Sequence, residues 1–248
     1  MAGRHLSTDR IYRNLVQPHS GEVRFQVAME QTDLLVVAEC DLQEDIAAFV
    51  RKVRGDLKNW IMFHPEFAES LVPISVSEDA PDIIRDMAQA SAVCGVGPMA
   101  AVAGAIAQAV GDAFVGRSPN LLVENGGDTY MHSTRERVVA LLSEPESGAS
   151  IGLRLEAGGF PTAICASSGT IGHSLSLGLG DLVAVRARDA RFADAAATAL
   201  CNELRSEDDM DRVLKRAKQF AEYGLEGVFA QYDQKVAAWG DLELVALD

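Results

Sequence analysis

Basic residues are scarce in this sequence. Lys and Arg number 22 against 36 Asp and Glu, for a formal charge of −14 at pH 7 and a pI near 4.7. Nothing basic is clustered, which argues against a nucleic-acid partner. It argues equally against attraction to an anionic membrane by charge. An anionic small molecule stays open, because helix N-termini and bound metals attract phosphate locally whatever the net charge. Cysteine is sparse too. Cys40, Cys94, Cys165 and Cys201 are far apart, with no Cys-x-x-Cys and no Cys/His cluster at zinc spacing. Each sits in an apolar or small-residue run, which predicts buried free thiols. No apolar run reaches membrane-spanning length; the longest, around Met99 to Val110, is alanine-rich and interrupted by Gly104 and Gln108. Met1 to Arg10 is polar, without a signal-peptide core or a lipidation cysteine. The expectation is a soluble cytoplasmic protein with no membrane partner.

What remains is ordinary globular composition over 248 residues, 48% hydrophobic and 23% charged, enough for a substantial core. Glu22 to Met29 alternates and Thr32 to Ala38 is apolar and β-branched, which reads as a hairpin. Asp41 caps a long amphipathic helix whose apolar positions are Ile46, Phe49, Val50, Val53, Leu57, Trp60 and Ile61. A further helix runs from about Asp82 to Val93. Pro98 starts another, to about Val110, closed by Gly111 or Gly116. Strands follow at Leu121 to Val123, Thr129 to His132, Val138 to Ser143, Ile151 to Leu155, Pro161 to Ala166 and Leu182 to Arg188. Two helices come next, the second spanning about Ser206 to Tyr223 with Ser206 as cap. The end is strand-like, at Gly227 to Ala230 and Leu242 to Leu247. Strict βαβ alternation is absent, so the fold class reads as α+β, mainly antiparallel sheet with helices on one face.

Several stretches carry potential chemistry. Gly95-Val-Gly-Pro-Met-Ala100 fits G-x-G-x-x-A, with a helix and then a strand ending in Glu124. That is the outline of a dinucleotide fingerprint, making Gly95, Gly97 and Glu124 cofactor-binding candidates in a Rossmann-type NAD(P)-dependent oxidoreductase. The segment before Gly95, however, reads as helix where that fold needs a strand. Asn125-Gly126-Gly127-Asp128 is a strong hairpin signal, and its glycines could equally let backbone approach a nucleotide faced by Glu124 or Asp128. Ser167, Ser168, Gly169, Thr170 and Ser174 form a hydroxyl- and glycine-rich loop able to wrap phosphate or ribose. His5, His19, His64 and His132 are isolated and read as structural.

Ala193-Asp-Ala-Ala-Ala-Thr-Ala199 is the most unusual stretch. Asp194 and Thr198 lie four apart on one face of a small-residue helix. Two oxygens there suit a hard cation such as Mg²⁺, although Asp194 could instead cap the helix start.

In order, Asn120-Leu-Leu-Val-Glu-Asn-Gly-Gly-Asp128, Ala166-Ser-Ser-Gly169, Val183-Ala-Val-Arg186 and Ala193-Asp-Ala-Ala-Ala-Thr-Ala199 resemble the ApbE family. Gly97-Pro-Met-Ala-Ala-Val-Ala-Gly104 and Ser167-Ser-Gly-Thr-Ile-Gly-His-Ser174 complete a pattern closer to a cytoplasmic branch of it. The resemblance implies one ApbE-like domain over 1–248, T-fold-related, with motifs in 95–202 and a poorer match over 1–94. It implies Mg²⁺-dependent transfer of FMN from FAD to an acceptor protein, or FAD hydrolysis. It places Mg²⁺ on Asp194 and Thr198, the nucleotide near Gly126, Gly127, Asp128, Ser168 and Gly169, and catalysis on Asp194 and His173. A non-catalytic flavin-binding or assembly protein is the alternative. The alanine-glycine helix from Met99 leaves a homo-oligomer open.

Overall fold

The computed structural model describes residues 18–143, 150–169 and 182–247. Thr170, His173 and Ser174 therefore lie outside the described residues, as does most of the hydroxyl-rich loop. Strand β1 (Val23–Met29) pairs antiparallel with β2 (Thr32–Ala38). The helices α1 (Gln43–Phe63), α2 (Glu66–Glu69) and α3 (Asp82–Cys94) follow, then a 3-10 turn Pro98–Ala101 and α4 (Val102–Phe114). After these come β3 (Leu121–Asn125), β4 (Asp128–His132), β5 (Arg137–Ser143), β6 (Ser150–Leu155), β7 (Thr162–Ser167) and β8 (Leu182–Ala187). The chain closes with α5 (Ala190–Glu203), α6 (Met210–Phe220), β9 (Leu225–Tyr232), β10 (Lys235–Gly240) and β11 (Glu243–Leu247).

Strands β1-β2-β3-β4-β7-β8-β9-β10 form one sheet in that order, antiparallel throughout, and β11-β6-β5 form a second. The expected α+β class with helices on one face holds. The second sheet adds what the sequence reading lacked, a layer on the opposite face. Leu34, Val36, Ala38, Val123, Tyr130, Cys165 and Val185 point to the helices. Val37, Leu122, Met131 and Ile164 point the other way, onto Val139, Leu153 and Leu155 of the small sheet. Central strands buried on both faces read as continuous apolar runs, as Leu34 to Ala38 does.

Several local expectations need correction. Gly95 is preceded by α3 and not by a strand, and the large sheet is antiparallel, so the Rossmann reading falls. Gly95 ends α3 in the left-handed region at φ 76°, its N–H donating to the Ser91 carbonyl. Gly97 packs so tightly that a Cβ would lie 1.8 Å from the Ser70 carbonyl oxygen. Both glycines are thus explained by backbone geometry. Pro98 opens a 3-10 turn, with the α-helix proper starting at Val102. That helix passes through Gly111, which does not close it: a Cβ there would meet the Tyr130 ring at 2.5 Å. The N-cap of α1 is Leu42 and not Asp41, although Asp41, one residue ahead of it, accepts the Gln43 N–H at 2.9 Å. Cys94, Cys165 and Cys201 are buried free thiols as expected, but Cys40 is exposed. The alanine-glycine helix α4 packs on its own sheet and on α5. No single helix among the described residues is long and apolar enough to cross a membrane.

Candidate functional site

Helix α5 is buried nearly all round, from Phe192 through Cys201. Alanines at 193, 195, 196, 197 and 199 let the sheet and its neighbouring helices close on it from every side. Its N-cap is Asp189, whose carboxylate accepts the Arg191 and Phe192 N–H groups at 2.9 and 3.1 Å. Asp194 is therefore not the cap of its own helix. Its Oδ2 accepts the Gly104 N–H at 2.9 Å, and the Ala103 N–H also reaches its carboxylate. These are donors of the first turn of α4, which has no side-chain cap of its own. Asp194 caps a neighbouring helix across the tertiary fold. The α4 N-terminus is consequently occupied by a carboxylate and is not a free anion site.

The β3–β4 turn comes to the same place. Gly126 and Gly127 have φ of 69° and 112°, the pair of positive values a two-residue type I′ hairpin needs. Glu124 accepts the Gly127 N–H at 2.7 Å, and the Asn125 amide donates to the Ala103 carbonyl at 3.1 Å. Asn125 and Asp194 thus grip the first turn of α4 from two sides. Asp128 stands one step beyond the Thr129–Ile164 pair of β4 and β7 and accepts the Ala166 N–H at 3.1 Å. The buried Cys165 thiol lies within hydrogen-bond reach of Asp128, and its Sγ is 3.5 Å from the Ala190 carbonyl.

Electrostatically the site is unbalanced. Burial pushes the Asp128 carboxyl well above its ordinary value, and the nearby Asp194 and Glu124 charges add to it. Burial likewise raises Asp194 against the opposing N–H bonds from Gly104 and Ala103. No ion pair to either carboxylate is found among the described residues. Two carboxylates this close, out of water, cannot both ionise without a proton or a cation between them.

Thr198 is on α5 one turn beyond Asp194, and 9% exposed like it. Ser167 ends β7, and Ser168 and Gly169 follow it directly. The structure therefore gathers Asn125, Asp128, Asp194 and the end of β7 around the α4 N-terminus, with the Glu124 turn at its margin. Gly95 and Gly97 serve the α3–α4 junction instead. Sequence reasoning missed Gly104, Gln108 and Cys165. The signal for Gln108 was present, since a lone amide breaks an otherwise alanine-rich run.

A family model described as AbpE bacteria matches residues 13–237. The chain belongs to that family. The AbpE match begins upstream of the β1–β2 hairpin and so takes in far more than the motif stretch. A UPF0280 protein of Methanopyrus kandleri is 39% identical over 203 residues, 79% of this chain and 80% of that protein. One of Methanocaldococcus jannaschii is 33% identical over 231 residues, 90% and 93% respectively. Among solved structures, the apo flavinyl transferase ApbE of Pseudomonas stutzeri aligns with a TM-score of 0.56 over 88% of this chain and 94% of that one. The ApbE protein of Thermotoga maritima aligns at 0.57, over 87% and 96%. At 12% identity in both cases the likeness is one of fold.

Proposed function

We propose that this protein binds a flavin nucleotide together with a divalent cation of the Mg²⁺ class and acts on the FAD pyrophosphate. The observation that carries the reading is the Asp128–Asp194 pair. Two buried carboxylates from a strand and a helix, without a cationic side chain between them among the described residues, are a donor set that fits a hard cation. Asp194 and Thr198 would hold it, with Asp128 alongside. When bound, the cation supplies neutralisation of charge developing on the pyrophosphate. The chain's own groups do the rest. The open backbone of Gly126 and Gly127 admits the nucleotide, and Ser167, Ser168 and Gly169 offer donors at the end of β7. In the reaction a P–O bond of the pyrophosphate breaks and AMP leaves. The FMN phosphorus joins the oxygen of water or of an acceptor-protein hydroxyl, whose proton passes to solvent. The fold shared with the Pseudomonas stutzeri flavinyl transferase supports the flavin part of this reading.

The test is incubation with FAD and Mg²⁺, followed by chromatography for FMN and AMP. Turnover abolished by EDTA and by Asp194→Ala is expected. Turnover unchanged in Asp194→Ala, or none with any divalent cation, overturns the reading. One observation favours a second reading, a flavin-binding or assembly protein without catalysis. Among the described residues no group of three or more His, Cys, Asp or Glu gathers to hold a metal. Tight flavin binding that ignores EDTA and yields no FMN would establish it.

A further inference from the structure

We infer that Gln108 is a positioning residue for Asp194, setting the α5 carboxylate against the α4 N-terminus through its hydrogen bond to the start of α5. The inference rests on the cation reading of Asp194 for its functional meaning.

Gln108 is buried on α4, and its Oε1 accepts the Ala190 N–H at 2.7 Å. Ala190 is the first residue of α5, and a helix leaves its first N–H groups without intrahelical partners. Asp189 serves Arg191 and Phe192; Gln108 serves the remaining neighbour, from a different helix. The other end of the Gln108 amide faces the Asp112 carboxylate, one turn further along α4, and helps to hold that carboxyl below its ordinary value. Asp112 also accepts the Tyr130 hydroxyl at 2.8 Å and lies 3.4 Å from His132 Nε2.

This arrangement fixes the amide. The Ala190 N–H can only donate and the ionised Asp112 can only accept, so the amide satisfies both in one orientation alone. Asp194 follows Ala190 by four residues and shares its face, while Gly104 precedes Gln108 by four. The two helices are therefore joined by two reciprocal bonds one turn apart. A side chain of α4 holds the start of α5, and a side chain of α5 holds the start of α4. Loosening the first lets α5 shift along or rotate against α4, and the Asp194 carboxylate then leaves the Ala103 and Gly104 N–H groups. The groups that orient a metal-binding carboxylate set its affinity, and their loss typically weakens metal binding about 10- to 100-fold.

The donor and acceptor polarity gives the test. Gln108→Met keeps length and removes both bonds. Gln108→Glu keeps the acceptor for Ala190 but turns a carboxylate on Asp112. Adding Asp112→Asn to it restores a donor opposite an acceptor. Two readouts are taken on the full chain: hydrogen exchange of the Ala103 and Gly104 amides without cation, and Mn²⁺ affinity by electron paramagnetic resonance. The expected result is faster exchange and Mn²⁺ affinity about tenfold weaker or more in Gln108→Met and in Gln108→Glu, with both restored in the Gln108→Glu/Asp112→Asn double variant. A purely structural role would lower stability but leave the Mn²⁺ affinity of the folded protein unchanged. Unchanged exchange at Ala103 and Gly104 in Gln108→Met, or a double variant no better than Gln108→Glu, overturns the inference. Should Gln108→Met fail to fold, Gln108→Asn, one methylene short of Ala190, makes the same comparison. If the wild-type protein binds no Mn²⁺, the cation reading fails by itself, and the exchange data still decide whether Gln108 places Asp194.

Discussion

Asp194 and Gly104 join two helices through one hydrogen bond and one missing methyl group. The Gly104 N–H donates to Asp194 Oδ2 at 2.9 Å. A Cβ on Gly104 would lie 2.1 Å from the Ala190 carbonyl oxygen and 2.9 Å from the Asp194 Cβ. On helix propensity alone Gly104→Ala would gain up to about 1 kcal/mol. The overlap with a backbone carbonyl reverses the sign, and forced overpacking costs about 1–3 kcal/mol. Chemical denaturation should show Gly104→Ala destabilised. Gly116→Ala, where a Cβ meets nothing within 4 Å, should be neutral within about 0.5 kcal/mol.

The same carboxylate makes stability depend on pH in an unusual direction. Burial raises Asp194 from its ordinary value to about 7. A carboxyl that holds its proton more tightly when folded favours the fold fully below the unfolded pKa near 3.9. That contribution is lost as pH rises through the folded value. In EDTA, the melting temperature should therefore fall between about pH 4 and about pH 7. Asp194→Asn keeps an acceptor for Gly104 and carries no charge, so it should melt above the wild type at pH 8 and show a shallower slope, the remainder coming from Asp128, which burial also raises. Asp194→Ala removes the acceptor as well, and an absent cap costs about 1 kcal/mol. An Asp194→Asn profile that still slopes like the wild type would refute the assignment.

The β3–β4 turn separates backbone demand from space. Neither Gly126 nor Gly127 would bring a Cβ within 4 Å of any described atom, yet both have positive φ. Gly126→Asn should be tolerated, since asparagine is a favoured first residue of a type I′ turn. Gly127→Val should cost about 1–3 kcal/mol, because a β-branched residue is strained there. Equal effects of the two substitutions in thermal melts would show that the turn is of another type.

The sequence made the β1–β2 and β3–β4 hairpins, the amphipathic α1 and the α+β class legible because each is written in local pattern, but not the largely exposed strand β10. It also made Asp194 stand out, since a carboxylate inside an alanine run is chemically odd. What it could not show is where that carboxylate goes. Asp194 and Gly104 are 90 residues apart, and a tertiary cap leaves no local pattern: α4 simply lacks a capping side chain. The second sheet was hidden for a similar reason. A continuous apolar strand such as Leu34 to Ala38 announces that both faces are covered, but not by what. The glycines at 95 and 97 were misleading because a fingerprint of glycines reports tight backbone without saying whether a ligand or the Ser70 peptide is the neighbour.

A last prediction concerns the opposite end of the pH scale. Arg137 of β5 meets Glu22 just ahead of β1, with Nη1 to Oε2 at 2.9 Å and a second bond from Nη2 to Oε1. The pair ties the small sheet to an edge of the large one, and both side chains are buried, at 7% and 0% exposure. Burial alone would raise the Glu22 carboxyl, but the Arg137 bonds, the His19 N–H and the Arg137 charge outweigh it, so Glu22 sits below its ordinary value. A depressed carboxyl stabilises the fold above its unfolded pKa and loses that contribution as pH falls through the folded one. Wild type should therefore lose stability below about pH 4. Glu22→Gln cannot take part in this loss, so the two melting curves should converge with acidification and stand furthest apart near neutrality. Arg137→Met is the harsher change, because it strands a buried carboxylate; breaking one side of a buried pair costs about 3–5 kcal/mol. Removing both partners together as Glu22→Leu/Arg137→Met should recover most of that cost. A double variant as unstable as Arg137→Met would mean that packing at β5, and not the stranded charge, sets the penalty.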